Sequence, residues 1–402
     1  TMAGPLAKLK VLDFTTLLPG PFASMILADL GASVLRVEAP GRPDMVREMK
    51  QCAGSVSAAH ATVNRSKRCI SLDLKNPEAL RLVEQLLENH DILLEQFRPG
   101  VMNRLGLGYE QLQDRHPRLI YCSLTGYGQT GPYRNRAGHD INYLALSGLS
   151  ETSRRQNSGP VPFGFQLADI AGGSYHMVMA VLAAVIHRQQ TGDGQYIDLS
   201  MTDAVFSMHA LSGAEWLSGG EEPEAESGML NGGTLYDYYE TRDGRWISVG
   251  SLEPVFLKRL CLEMDLQEFE GIPLDDVKSQ KRLKSKLRKA FKSRSFQEWI
   301  EIFQKIDACV EPVLKPSEAA SHPQLREREM IGKVLNETGD SIRQIASPFR
   351  FSKTPVVPGF AGRKLGADTL SVLRELGWDD ERISNFLESG ACGDIPKADS
   401  NN

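Results

Sequence analysis

Residues 137–148, AGHDINYLALSG, set one histidine between Gly138 and Asp140 just ahead of an apolar, helix-like run. An imidazole at the mouth of a helix can take a proton from a bound molecule. The positive end of the helix disfavours imidazolium, which leaves the neutral base. Asp140 is a suitable N-cap for that helix. An ordinary loop histidine is the competing reading of His139. The other histidines carry less signal: His60, His90, His116, His187 and His322 lie in polar or helix-end settings, and His176 and His209 sit inside apolar helices as core or interface residues. Asp169 opens a second apolar run, DIAGGSYHMVMAVLAAVIHRQ at 169–189. Its plain role is to cap the helix. Ala171, Gly172 and Gly173 follow and let another group come close. A carboxyl placed there beside a ligand and shut off from water would have a raised pKa and could serve as acid or base. Glu253, in VGSLEPVF, follows a strand and precedes Pro254. It either starts a helix or orients the imidazole of His139, as carboxylates do in catalytic triads.

Other chemistries lack their signatures. There is no Walker loop, no GxGxxG opening a helix after the first strand, no GxSxG elbow and no HExxH, so no nicotinamide cofactor and no metal are expected. The six cysteines (52, 69, 122, 261, 309 and 392) are scattered, without a CxxC pair, and read as reduced thiols. Residues 278–294 hold nine Lys or Arg, but Leu283, Leu287, Ala290 and Phe291 recur at helical spacing. That pattern predicts an amphipathic helix with a basic, solvated face. The net charge of −5 gives no electrostatic reason to expect nucleic acid.

These residues need elements to hold them. Strand-like KVLDFT (10–15), SVLRVEAP (33–40), RCISLDL (68–74), DILLEQF (91–97) and LIYCSLTG (119–126) alternate with helix-like segments. Among the latter are PFASMILADLG (21–31) and NPEALRLVEQLLENH (76–90), the second with Asn76 as cap and Pro77 at its first position. The rhythm predicts an α/β fold with a doubly wound parallel sheet, whose ligands sit at the carboxyl ends of the strands. The helix after Asp169 is apolar nearly all the way round and is expected to be buried. With 402 residues, two domains are expected. The boundaries read as a large α/β domain over 1–215 and a linker over 216–230, around the acidic GGEEPEAESG. A small α+β domain over 231–325 and a C-terminal return over 326–402 packing on the large domain complete the chain. In the small domain, YDYYETRDGRWISVGS (236–251) reads as a hairpin turning at Asp243-Gly244, and Ser295 and Glu298 have capping-box spacing. No uninterrupted run of eighteen apolar residues occurs, so no membrane span is expected. The start lacks a secretory apolar region, Thr1 before Met2 reads as a cloning remnant, and the final ADSNN is no peroxisomal tripeptide. The expected compartment is the cytoplasm, with mitochondrial or peroxisomal import as alternatives in a eukaryote.

Several stretches together, VLDFTTLLPGPFASMILADLGASVLRVEAPG, SLDLKNPEA, FRPGV, LGLGYEQL, RLIYCSLTGYGQTGP, AGHDINYLALSG, LADIAGG and ACVEPVL, resemble the family III CoA-transferase (CaiB/BaiF) superfamily, and within it the α-methylacyl-CoA racemase branch. The resemblance implies a Rossmann-like large domain, a linker and a small domain. It implies an interlocked homodimer whose active site lies between the large domain of one chain and the small domain of the other. It implies that His139 and Asp169 face each other across the substrate α-carbon, with Glu253 supporting the histidine. The reaction would be 1,1-proton transfer on a 2-methylacyl-CoA of lipid metabolism, through an enolate held by the backbone N–H of Asp140. Arg36, Arg65, Arg68 and Arg98, with Gly126 and Asp140, would bind the substrate and its CoA. No separate cofactor is implied, because CoA is part of the substrate. In the transferase branch the aspartate at the Asp169 position is a nucleophile that carries the acyl group, and a histidine at the His139 position is not typical. The segment 42–68 is longer than in the racemases, and its NRSKR ending resembles the transferases.

Overall fold

The computed structural model describes residues 4–393; Thr1 and the final ADSNN lie outside them. By internal contacts the chain forms two compact units. The first comprises the chain up to Leu144, Gly164–Val205, and everything from Arg326 onward. The second comprises Ala145–Phe163 and Phe206–Leu325. Residues 145–163 and 206–215, expected in the large domain, thus cluster with the second unit.

The first unit is built on six strands: β1 (Lys10–Asp13), β2 (Ser33–Glu38), β3 (Lys67–Ser71), β4 (Ile92–Glu95), β5 (Ile120–Thr125) and β6 (Gln195–Ser200). All neighbours are parallel, in the order 3-2-1-4-5-6. This is the doubly wound order of dinucleotide-binding folds, in which the direction of winding reverses between β1 and β4. Strands covered on both faces read as continuous apolar runs, and the residues here comply: Val11, Leu12, Ile92, Leu93 and Leu94 have no exposed surface. Helix α1 (Pro19–Asp29) enters through Pro19 and is buried along almost its whole length. The helix Pro77–Leu87 starts as expected, the Asn76 side chain accepting the N–H of Glu78. The C-terminal helices Thr369–Glu375 and Asp380–Glu388 bring Val372, Leu373, Ile383 and Phe386 into the same core as Leu12, Leu35 and Ile70.

The helix after Asp169 departs from expectation in two ways. Its first eight residues, Ala168–Tyr175, wind as a π-helix before the α-helix His176–Thr191 begins. It is buried on one side only: Met177, Val181 and Ala184 are covered, while Met179 and Ile186 are more than half exposed in the isolated chain. Over its 24 residues it is also long and apolar enough, by length and composition, to cross a bilayer, contrary to the expectation that no segment was. Within the first unit, Gly173 at its start packs against Pro19 and Met201.

The second unit holds a three-stranded antiparallel sheet, Asp237–Glu240, Trp246–Val249 and Val310–Pro312. The first two are the expected hairpin, with Gly244 at φ 75° in its turn. Helix Val277–Phe291 packs Leu283, Leu287 and Phe291 inward and leaves Lys281, Arg282, Lys286 and Lys289 exposed. Ser295 and Glu298 make both bonds of the capping box. The stretch expected as an orderless linker is partly tied down, Glu226 pairing with Arg155 at 3.0 Å and accepting the Gln156 N–H.

Candidate active site

In the first unit, His139 and Asp169 are brought to neighbouring elements by one hydrogen bond. The short helix Asp140–Leu146 begins one residue after His139, and the His139 carbonyl accepts from Asn142 and Tyr143. The Asn142 side chain accepts the His139 N–H in return, at 3.0 Å. Asp140 is therefore the first helical residue and not its cap. Its carboxylate is used elsewhere: Oδ1 accepts the backbone N–H of Asp169 at 2.9 Å. This bond ties the residue after the candidate imidazole to the candidate carboxyl.

Asp169 stands in the first turn of the π-helical segment. π-turns within helices are frequent at functional sites because they redirect side chains that an α-turn would stack. The segment is allowed by its small residues. A Cβ on Gly172 would come within 2.8 Å of Val205, and one on Gly173 within 3.0 Å of Pro19. Burial, with the charge of Asp140 next in effect, pushes the Asp169 carboxyl up to about 7. Near neutral pH such a group both donates and accepts a proton.

Tyr143, one turn after His139, completes the wall. It is buried, its hydroxyl donates to the Gly138 carbonyl at 2.6 Å, and its ring meets Tyr127 edge-on at 5.3 Å. Burial raises its phenol and the Asp169 charge adds to the effect, which puts the tyrosine in the electrostatic field of the carboxyl. Gly126 lies under this ring: a Cβ there would collide with it. The Gly126 carbonyl is anchored by the backbone and hydroxyl of Thr202. Gly126 thus supports the site through close packing. Tyr143 was not singled out from the sequence, although its i+4 spacing from His139 in HDINY was the available signal.

Glu253 belongs to the second unit. It occupies the N-cap position of helix Pro254–Glu263, as the plainer reading held, but its side chain makes no cap bond and is exposed. Its charge contributes to raising the neighbouring Cys309 thiol, after burial.

The four arginines divide sharply. Arg36 is buried, bound to Glu38, Asp44, the Thr15 carbonyl and Asn64. Arg65 is buried on Asp29 through two bonds of 2.9 and 2.6 Å and also donates to the Ile345 carbonyl. Arg68 grips Glu375 of a C-terminal helix at 2.7 and 2.8 Å. These three guanidiniums are committed to carboxylates within the protein, which corrects their expected role on CoA. Residues 42–68 fold as a support for them, through a turn at Met45–Glu48, a small hairpin and helix Ala58–Val63. Arg98 alone of the four is exposed, at the carboxyl end of β4.

The comparisons agree with this architecture. The CoA-transferase family III profile matches residues 6–369, and the chain belongs to that family. The chain is 35% identical over 378 residues to the α-methylacyl-CoA racemase of Homo sapiens, covering 93% of this chain and 94% of the relative. It is 34% identical over 406 residues to an acyl-CoA transferase of Fusarium pseudograminearum, covering 96% and 88%. Among solved structures, a CaiB/BaiF family protein from Brucella suis superposes with a TM-score of 0.81 at 26% identity, covering 94% of this chain and all of that one. Racemases and transferases are both among the relatives, at nearly the same identity.

Proposed function

We propose that the chain is a 2-methylacyl-CoA racemase or epimerase that moves the α-proton of an acyl-CoA thioester through an enolate. The observation that carries this reading is the carboxyl of Asp169, raised to about 7 by burial and by Asp140. A racemase needs a group on one face that alternates between acid and base, and a pKa near the working pH suits both directions. A nucleophile that must be ionised to attack gains less from such a shift.

In this mechanism His139 takes or returns the proton on one face of the α-carbon and Asp169 does so on the other. The developing oxyanion is stabilised by the backbone N–H of Asp140. Glu253, from the small domain of a second copy, holds the imidazole and offsets its charge. A homodimer would also cover the apolar face that Met179 and Ile186 present. CoA is carried by the substrate, and no further cofactor enters the scheme; a cytoplasmic setting is part of the same proposal. The second reading is a CoA-transferase with Asp169 as nucleophile, favoured by the acyl-CoA transferase relative.

Incubation with (R)- and then (S)-2-methylacyl-CoA in D2O separates the two. A racemase incorporates deuterium at the α-carbon from either enantiomer with no second acid present. Absence of exchange, with acyl transfer to an added carboxylate and trapping of an aspartyl intermediate by hydroxylamine, would decide for the transferase.

A further inference from the structure

The reaction above leaves unused the densest charge feature of the second unit. Nine of the 46 Lys and Arg fall in 278–294 with no Asp or Glu among them, so the other residues sum to −14 against −5 for the whole chain. Helix Val277–Phe291 carries most of this segment and turns its apolar side inward: Leu283, Leu287 and Phe291 have no exposed surface. Lys278, Lys281, Lys286 and Lys289 are exposed, and the 3.6-residue period places them within one arc on the opposite side. Over the fifteen residues of the helix that side is about 22 Å long. The arginines of the segment are engaged within the second unit. Arg282 lies 5.6 Å from the centre of the Phe269 ring, Arg294 lies 5.3 Å from that of Trp299, and Arg288 stands 3.9 Å from Asp237. The four lysines, unlike Lys284 and Lys292, enter no ion pair among the described residues.

We propose that this lysine face docks the protein reversibly on an anionic phospholipid surface. Such a surface attracts each basic side chain held close to it by about fivefold in affinity, and lysines fixed on one helix face act together. A protein partner that grips a helix by its apolar side does not match, because that side is already in the core of the second unit. For the same reason the helix has no apolar face to bury in the bilayer, so attachment rests on charge and is screened by salt. Nucleic acid fits less well. The exposed face carries no aromatic ring on which a base could stack, and the arginines that would make bidentate contacts are held by Phe269, Trp299 and Asp237. The acidic remainder of the chain is repelled by an anionic plane, which turns this one face toward it. The inference does not depend on which reaction the chain catalyses.

The test is co-sedimentation of the full chain at neutral pH and about 0.1 M salt with vesicles of phosphatidylcholine alone, or with one third phosphatidylserine, beside a titration with duplex DNA. Binding to the phosphatidylserine vesicles is expected to be saturable, at least about tenfold tighter than to phosphatidylcholine or to DNA, and lost at about 0.5 M salt. The triple variant Lys281→Gln, Lys286→Gln and Lys289→Gln should bind those vesicles on the order of a hundredfold more weakly, and Lys286→Gln alone about fivefold. A control triple variant, Lys305→Gln, Lys333→Gln and Lys353→Gln, removes the same charge from exposed positions elsewhere and should bind like the parent. Equal binding to phosphatidylcholine, no binding to the anionic vesicles, an equal loss in the control, unchanged binding in the triple variant of the helix, or tighter binding to DNA would each overturn the proposal.

Discussion

Two groups of acidic residues near the carboxyl ends of the strands are treated in opposite ways. Glu38 and Asp44 are buried against Arg36, and Arg47 adds two bonds of 2.7 and 2.9 Å to Glu38. Asp13 beside them accepts from the backbone and hydroxyl of Thr15 and lies 3.8 Å from Lys67. Burial would raise the Glu38 carboxyl, but Arg47 and Arg36 overrule it and hold the group down at about 2. Asp140 and Asp169 pair with no such cation among the described residues: their link is a carboxylate on a main-chain N–H, and the charge of Asp140 raises Asp169. In the first group the carboxylates are neutralised by cations within the fold. The one left with only a like-charged neighbour is available for proton transfer.

The contrast is broken most directly at Asp169. Replacing Asp169 with Asn should lower α-proton exchange by about 10²–10⁴-fold, the usual contribution of a positioned acid or base. The same variant should be more stable than the parent above neutral pH, by on the order of 1 kcal/mol. The sign follows from the raised pKa. Between the ordinary aspartate value and about 7 the folded chain holds a proton that the unfolded chain has lost, so ionised Asp169 costs stability as pH rises through that window. Chemical unfolding at pH 4 and pH 8 reads this: the advantage of the variant should be confined to the higher pH. Glu38 runs the other way. Its lowered pKa supports the fold above the ordinary glutamate value, and that support is lost as pH falls from there towards 2.

At the neutralised group, Arg36→Met should cost about 3–5 kcal/mol in urea unfolding, because Glu38 and Asp44 are left buried without their cation. Arg98→Gln, on the exposed arginine, should stay within about 0.5 kcal/mol of the parent. If Arg36→Met were as stable as the parent, the buried pairs would not be what holds the strand ends.

The sequence made the parallel sheet legible, since strands such as Ile92–Glu95 are apolar runs followed by turn residues. Where local chemistry decides, termini such as Asn76-Pro77 and Ser295–Glu298 were legible as well. His139 and Asp169 stand out in the sequence as candidates, because glycine and alanine beside a titratable group leave a visible pattern. What failed depends on partners distant in the chain. Arg36 and Arg65 look like any basic residue near a loop, and only the fold brings Asp44 and Asp29 to them. The π-helical start of the 168–191 helix was illegible for a similar reason: its apolar pattern is that of an α-helix, and the wider turn comes from close packing of Gly172 and Gly173 on Val205, Met201 and Pro19.

That packing argument extends to Gly126. Its φ is not in the left-handed region, so Gly126→Ala tests contact rather than backbone freedom. The added methyl meets the Tyr143 ring, which is pinned by its bond to Gly138 and by Tyr127. An overpacking cost of about 1–3 kcal/mol is expected, with exchange reduced as the helix following His139 shifts. Loss of stability with undiminished exchange would show that Tyr143 does not set the position of that helix.

The smallest expected effect comes from Asp140→Asn, and it sharpens the comparison most. Asparagine keeps the oxygen that accepts the Asp169 N–H and removes the charge. Burial, the larger cause of the Asp169 shift, is untouched, so the carboxyl should remain above its ordinary value. The limb of the pH–rate profile that reports Asp169 should therefore move to lower pH, by about one unit or less, with a small change in the maximal rate. An unmoved limb would mean that burial alone raises Asp169. A collapse of the rate with the limb in place would mean that Asp140 acts through the anchoring hydrogen bond, which asparagine then fails to reproduce.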